Sequence, residues 1–197
     1  MLTKPAVQSG HFHAVRFYED PQSLARMVAT FIAEGLIEGK PGIIIATPEH
    51  RDEIIKKLNA MSFNLDQLQR QDDLIVLGAR ETLATFMVDG MPNPEMFQAA
   101  MLPVIDRACR DRQDCMIRAY GEMVDVLWKD GSEAAAVRLE MLWNQLANTR
   151  QFSLLCGYSM GSFYKAAAFD AICHQHTHVL ATDGAAARVK ARAPAVN

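Results

Sequence analysis

The sequence predicts an α/β protein in which helices cover both faces of a mostly parallel β-sheet. Short apolar segments alternate with amphipathic segments of about 10 to 17 residues, and this alternation is typical of strand–helix–strand units. Residues 42–47 are almost continuously hydrophobic, as expected for a strand that is covered on both faces. Because 197 residues are enough for one well-buried domain and few for two, we expect a single domain over residues 11–180.

The first half of the chain contains three predicted strands, at residues 13–18, 42–47 and 74–78. The first helix begins after Asp20, a favourable N-cap, and has Pro21 at its first helical position. Its apolar side chains recur at helical spacing: Leu24, Met27, Val28, Phe31, Ile32 and Leu36. The second helix carries a shorter stripe of the same kind: Ile54, Ile55, Leu58 and Met61.

The second half continues the alternation, with strands at residues 115–120 and 152–158. Residues 89–94 form the clearest loop, with two prolines and a glycine. The helix that follows, to about residue 110, contains Pro103, which we expect to kink or split it. Further helices are predicted over residues 123–128, 132–148 and 163–174. Two tails lack hydrophobic periodicity and are expected to be flexible or disordered: residues 1–10 and 181–197.

Composition and charge exclude several classes of partner. The formal net charge of −3 gives no electrostatic basis for binding nucleic acid or an anionic membrane surface. There is no secretory signal core and no apolar run of about 20 residues, so we expect a soluble, cytoplasmic protein. The four cysteines have no CxxC spacing and are predicted to be reduced, mostly buried thiols: Cys109, Cys115, Cys156 and Cys173.

Three segments could form a phosphate-binding turn, a metal site or a nucleophile elbow, but each lacks residues that such a site requires. The turn at residues 18–24 contains no glycine or lysine and presents Glu19 and Asp20, which would repel a triphosphate. The histidines of residues 174–178 have no cysteine or carboxylate at ligand spacing, and a solvated helix end explains them. Residues 158–162 do not form the GxSxG nucleophile elbow. We therefore expect no catalytic residue, no cofactor and no metal.

The best candidate for a binding site follows the predicted strand at residues 115–120. Alternation places Arg118 and Tyr120 on the same face of that strand. Gly121 ends the strand and Glu122 begins the next helix, at the edge where parallel α/β sheets bind ligands. Arg118 and Glu122 either orient the polar part of a ligand or form a structural ion pair that ties the strand to the helix.

Aromatic side chains could supply the apolar part of such a site. We expect Trp128 and Tyr158 to lie near it, although aromatic residues at helical spacing, such as Phe97 and Trp143, belong to a core more often than to a pocket. The predicted ligand-binding residues are therefore Arg118, Tyr120, Glu122, Trp128 and Tyr158.

Several segments resemble the MEDS family, the methanogen/methylotroph sensory domain of bacterial and archaeal signalling proteins. The first group comprises His13, Phe17-Tyr18-Glu19, Gly35-Leu36 and residues 44–47. Three later groups occur in the same order as in the family: residues 118–128, Leu139-Glu140 with Trp143-Asn144, and residues 153–158 with Phe163. The resemblance extends over about residues 13–178, which is nearly all of the predicted domain.

The resemblance implies a RecA-like core, similar to circadian-clock ATPases, whose phosphate loop has been lost. It also implies a non-enzymatic sensory role with a small, possibly hydrocarbon-type ligand. Family members are often fused to a kinase or a DNA-binding domain. Since we recognise neither here, we expect a separate signalling partner such as a histidine kinase, a response regulator or a transcription regulator. Two alternatives stay open: a divergent nucleotide-binding protein and a protein–protein adaptor without a ligand.

Overall fold

A computed structural model describes residues 12–110, 112–162 and 166–180; the two predicted tails and the start of the predicted helix at residues 163–174 lie outside these ranges. The strands are β1 (His13–Tyr18), β2 (Gly42–Ala46), β3 (Leu74–Gly78), β4 (Met87–Val88), β5 (Met91–Pro92), β6 (Ile117–Gly121), β7 (Phe152–Ser159) and β8 (His178–Leu180). The helices are α1 (Pro21–Ile37), α2 (Pro48–Ala60), α3 (Leu65–Arg70), α4 (Ala79–Ala84), α5 (Pro94–Ala108), α6 (Met123–Lys129), α7 (Glu133–Leu146) and α8 (Ala166–Cys173).

Six strands form one parallel sheet in the order β3-β2-β6-β7-β1-β8. Successive side chains of a strand point to opposite faces, and the core divides accordingly into two clusters. Ile43 and Ala119 belong to the cluster that includes side chains of α4 to α8. Ile44 and Tyr120 belong to the cluster that includes side chains of α1 to α3. The predicted α/β fold with helices on both faces is therefore confirmed.

The start of α1 follows the sequence prediction. The Asp20 carboxylate accepts hydrogen bonds from the backbone amides of Gln22 and Ser23 at 3.0 and 2.9 Å, and Pro21 is the first helical residue. A side-chain oxygen at the N-cap satisfies amide groups that have no partner within the helix. The amides at this turn are thus already paired with a carboxylate.

The prediction that all four cysteines are reduced is wrong for two of them. Cys109 and Cys115 form a disulfide, with their Cα atoms 5.6 Å apart. The two residues are six positions apart: Cys109 is the C-cap of α5, and Cys115 lies two residues before β6. Cys156 and Cys173 are free thiols.

Two local predictions need smaller corrections. Helix α5 is continuous through Pro103 rather than split in two. The loop predicted at residues 89–94 contains the tight turn of a short hairpin between β4 and β5. Asp89 and Gly90 both have positive φ values, of 48° and 77°, as in the two-residue turns that suit the twist of a hairpin.

Among residues 12–110, 112–162 and 166–180, none of the helices combines the length and the hydropathy that crossing a bilayer requires.

Candidate functional site

Polar side chains converge at the carboxyl edge of the sheet, where the four central strands end. Tyr18 and Ser159 are the last residues of β1 and β7, and Thr47 and Glu122 directly follow β2 and β6. Because all four strands are parallel and adjacent, these residues lie at one edge. This is where open α/β sheets form their binding crevices.

Glu122 is the centre of this edge. It is only 2% exposed, and its Oε1 atom accepts a hydrogen bond from the Thr47 amide at 2.7 Å. Its Oε2 atom lies 2.8 Å from His50 Nδ1 and accepts a hydrogen bond from the Tyr120 hydroxyl at 3.1 Å. His50 lies in the first turn of α2, so the pair joins the β2–α2 connection to the β6–α6 connection.

The pKa values of this pair favour its charged form. Burial alone would lower the pKa of His50, but the hydrogen bond and charge of Glu122 outweigh it and raise that pKa above its ordinary value. Burial alone would raise the pKa of Glu122, but the hydrogen bonds and charge of His50, together with the Thr47 amide, lower it. His50 and Glu122 therefore form an ion pair at pH values between the folded pKa of Glu122 and the folded pKa of His50.

A second group of polar side chains adjoins the first. Asp125 Oδ2 accepts hydrogen bonds from the Tyr18 hydroxyl at 3.1 Å and lies 2.7 Å from Lys129 Nζ. Asp125 Oδ1 accepts the backbone amide of Ser159 at 3.0 Å. The rings of Tyr18 and His50 meet edge to face, with centroids 5.5 Å apart. We call these residues and the preceding pair the carboxyl-edge site: Tyr18, His50, Tyr120, Glu122, Asp125 and Lys129.

We expect the ion pair to give stability that depends on pH. A histidine whose folded pKa is raised stabilises the protein fully below its unfolded pKa, and this stability disappears as the pH rises through the folded pKa. The variant His50→Gln cannot titrate, so it should lose about 1–3 kcal/mol of unfolding free energy near pH 6. That loss should shrink as the pH is raised from about 6 to 9, as His50 loses its proton. Urea unfolding of both proteins across this range measures the difference.

At low pH the dependence on pH has the opposite direction. The stability that the ion pair supplies is lost as the pH falls, because Glu122 becomes protonated as the pH passes through its lowered folded pKa. The difference between wild type and His50→Gln should therefore be largest at intermediate pH. A difference that stays constant from about pH 6 to 9 would contradict the ion pair.

The predicted pairing of Arg118 with Glu122 is wrong. Arg118 contacts α1 instead: its Nη1 atom lies 3.3 Å from Glu34 Oε2, and its guanidinium lies 4.8 Å from the centre of the Phe31 ring. An added Cβ on Gly35 would lie 2.5 Å from Arg118 Cγ, so a glycine is needed where the side chain crosses the helix. Alternation along β6 predicts which face Arg118 occupies, but Arg118 is three residues before the end of the strand, and α1 covers it there.

Trp128 and Tyr158 are buried in the core rather than at the carboxyl-edge site. Trp128 is 5% exposed and Tyr158 is fully buried, and their rings meet edge to face with centroids 5.9 Å apart. Phe97 and Trp143 pack in the same cluster, with their centroids 5.1 Å apart, which confirms the core interpretation for them. A nearby apolar cavity, lined in part by Met101 and Trp143, has a volume of about 10 Å³, far below the roughly 300–1,000 Å³ of ordinary ligand pockets.

The structure therefore brings together two of the five predicted ligand-binding residues, Tyr120 and Glu122. The structure also places Asp125, Lys129 and His50 at this site, and the sequence alone predicts no binding role for them. Asp125 and Lys129 are four positions apart on α6, a spacing that signals a helical ion pair. His50 carries no comparable signal, because its partner Glu122 is 72 positions away.

A second cluster of polar side chains lies within the core, away from the carboxyl edge. It consists of His13, Glu140, Cys156 and His176, whose potential metal-ligating atoms all lie within 4.8 Å of one another. We call it the buried polar cluster. Tyr158 donates a hydrogen bond to Glu140 Oε1 at 2.9 Å, so this predicted ligand-binding residue belongs to the surroundings of the buried polar cluster instead.

Comparison with known proteins gives a family and a fold. Residues 12–176 match the family described as MEDS: MEthanogen/methylotroph, DcmR Sensory domain. The crystal structure of a KaiC-like protein from the hyperthermophilic archaeon Pyrococcus horikoshii is similar, with a TM-score of 0.56 at 10% sequence identity, over 85% of this chain and 71% of that chain. That similarity confirms the three-layer, RecA-like architecture. Comparison with curated proteins gives no match.

Proposed function

This chain belongs to the MEDS family of sensory domains, and from this premise we propose that it is a non-catalytic regulatory protein. It recognises a small hydrocarbon derivative at the carboxyl-edge site. Binding changes its contact with a signalling partner, such as a histidine kinase, a response regulator or a transcription regulator. The observation that carries this proposal is the His50–Glu122 ion pair, which lies where parallel α/β sheets bind their ligands.

The exposure of the charged groups supports a recognition role. The side chains of His50 and Lys129 are 12% and 44% exposed, whereas those of Glu122 and Asp125 are only 3% exposed. The two cations therefore form the outer layer of the site, and the two buried carboxylates hold them in position. Groups positioned in this way can donate hydrogen bonds to a ligand without first having to reorganise.

The same arrangement supports one chemical class of ligand. The outer cations favour a hydrogen-bond acceptor such as a hydroxyl, carbonyl or carboxylate group. The ring of Tyr18 packs against both cations, 5.5 Å from the His50 ring and 5.8 Å from Lys129 Nζ, but at 4% exposure it presents almost no apolar surface to a ligand. The site itself supports the acceptor group, and the short hydrocarbon part of the ligand is what the resemblance to the MEDS family implies.

The first strand-to-helix turn supports a function without nucleotide. The amides of Gln22 and Ser23, at the start of α1, already donate to the Asp20 carboxylate. A phosphate group at this helix start would have to displace that carboxylate and overcome its negative charge.

A surface near the β4–β5 hairpin supports contact with a partner protein. Val88, Met91 and Met96 are large apolar residues with 41–42% of their surface exposed. Methionine side chains adapt readily to different partner surfaces. These residues are the part of the protein that we expect to contact the signalling partner.

Thermal unfolding of the purified protein tests the proposed function. We expect at least one member of a panel of short-chain alcohols, amines, carboxylates and chlorinated hydrocarbons to raise the unfolding midpoint, because a ligand that binds only the folded state stabilises it. MgATP should leave the midpoint unchanged. A shift with MgATP, and none with any panel member, would contradict the proposed function.

A further inference from the structure

The buried polar cluster places four ligand-type side chains at one point in the core. The side chains of His13, Glu140 and His176 have no exposed surface, and Cys156 is 1% exposed. They come from β1, α7, β7 and the segment between α8 and β8. Charged or polar groups are rarely buried in this way unless they are paired or bind a metal.

The distances among three of the four ligand atoms are close to those of a tetrahedral metal site, and all four atoms lie within 4.8 Å of one another. His13 Nε2 lies 3.2 Å from Glu140 Oε2 and 3.4 Å from Cys156 Sγ. Cys156 Sγ lies 3.6 Å from Glu140 Oε2. Metal–ligand distances of about 2.0–2.3 Å imply roughly 3.3–3.7 Å between the ligand atoms of a tetrahedral zinc site.

His176 supplies a second observation that points to a ligand. Its Nε2 atom is buried and makes no hydrogen bond with any residue in the described part of the chain. The atom is aimed into the cluster and lies 3.4 Å from Glu140 Oε1. A buried nitrogen without a hydrogen bond is costly, and a metal ion bound at this position would satisfy it.

The surrounding residues hold the two imidazoles in the orientation that metal binding needs. His13 Nδ1 lies 2.9 Å from Asn144 Oδ1, and His176 Nδ1 lies 2.8 Å from the Ile172 carbonyl oxygen. With Nδ1 donating to these oxygens, each ring directs the lone pair of Nε2 into the cluster. Metal-binding histidines in proteins are usually fixed by such a hydrogen bond from the other ring nitrogen.

We propose that the buried polar cluster is a tetrahedral binding site for a divalent transition-metal ion, with Zn²⁺ as the preferred occupant. Imidazole and thiolate ligands favour Zn²⁺ over Mg²⁺ or Ca²⁺, which prefer oxygen ligands. Two neutral imidazoles, one carboxylate and one thiolate also balance the charge of a divalent ion, so the occupied site carries no net charge in the core.

The ion would connect parts of the chain that are far apart in sequence. His13 is 143 positions from Cys156, and His176 precedes β8, the short edge strand that pairs with β1. All four ligands belong to the interior of the protein rather than to the carboxyl-edge site. The metal site is therefore independent of the proposed ligand recognition.

Metal retention by the purified full chain tests this proposal. The protein is stripped with a chelator, incubated with Zn²⁺, freed of unbound metal and analysed by mass spectrometry for zinc. We expect about one ion per chain for wild type and less than roughly a tenth of that for Cys156→Ser and for His176→Ala, each of which removes a ligand. Zn²⁺ should also raise the unfolding midpoint of wild type but not of these two variants.

Two matched substitutions serve as controls. Cys173→Ser removes the other free thiol, and His174→Ala removes an exposed histidine of the same segment; both should retain zinc like wild type. Replacement of Zn²⁺ by Co²⁺ in wild type should produce the thiolate-to-metal absorption band of a tetrahedral site, which needs no variant to fold. No retained zinc in wild type, no such band, or equal retention by Cys156→Ser and Cys173→Ser would overturn the proposal.

Discussion

Replacing Glu140 by alanine should destabilise the protein by about 3–5 kcal/mol, because removing one member of a buried polar network leaves its partners unpaired. Glu140 is fully buried and accepts the Tyr158 hydroxyl at 2.9 Å, and His13 Nε2 lies 3.2 Å from its carboxylate. The truncation also leaves a cavity. Urea unfolding in the presence of a chelator measures the loss, so the result does not depend on bound metal.

Glu133→Ala is the matched control for this prediction. Glu133 lies in the first turn of the same helix but is exposed, so its removal should cost less than about 1 kcal/mol. If the two variants lose similar amounts of stability, the hydrogen bonds of the buried polar cluster do not support the fold as described.

Replacing Trp128 by alanine should cost about 3–5 kcal/mol of unfolding free energy, the usual range for a large aromatic residue in a packed core. Trp128 is 5% exposed and its ring packs edge to face on Tyr158. The sequence predicts a ligand-contacting role for both residues, and the structure places both in a hydrophobic core cluster. Equilibrium unfolding in urea separates these interpretations.

Ile37→Ala is the control for Trp128→Ala. Ile37 is 78% exposed at the end of α1, so its truncation should change stability by no more than about 0.5 kcal/mol. A loss below about 1 kcal/mol for Trp128→Ala would mean that Trp128 is not a core residue.

The fold could be predicted from the sequence because its signals are local. Asp20 and Pro21 mark the start of α1, and the apolar run at residues 42–47 marks a strand covered on both faces. Alternation along β6 correctly separates Ala119 from Tyr120. Each of these inferences needs only the spacing of neighbouring residues.

The sites could be predicted only in part, because their contacts join distant residues. Glu122 was identified from its place at a strand end, but its partner His50 is reached only when β2 and β6 pair. Arg118 was assigned to the correct face but to the wrong partner, since alternation gives the face of the sheet and not the helix that covers it.

The buried polar cluster is also hard to predict from the sequence, because its members are even farther apart along the chain. His13 and Cys156 become neighbours because β1 pairs with β7, and Glu140 reaches them from α7. Within the sequence, the histidines of residues 174–178 have no cysteine or carboxylate at ligand spacing. Only His176 of that segment joins the cluster, and its companions lie in other elements.

The most direct test of the recognition site is calorimetric titration with the panel compound that raises the unfolding midpoint of wild type. We expect His50→Ala to raise the dissociation constant about 10-fold or more, because the variant loses one charge-assisted hydrogen bond to the ligand. His174→Ala, which removes an exposed histidine that is not part of the carboxyl-edge site, should bind like wild type. Unchanged affinity in His50→Ala, or a wild-type protein that hydrolyses MgATP, would contradict recognition by the carboxyl-edge site.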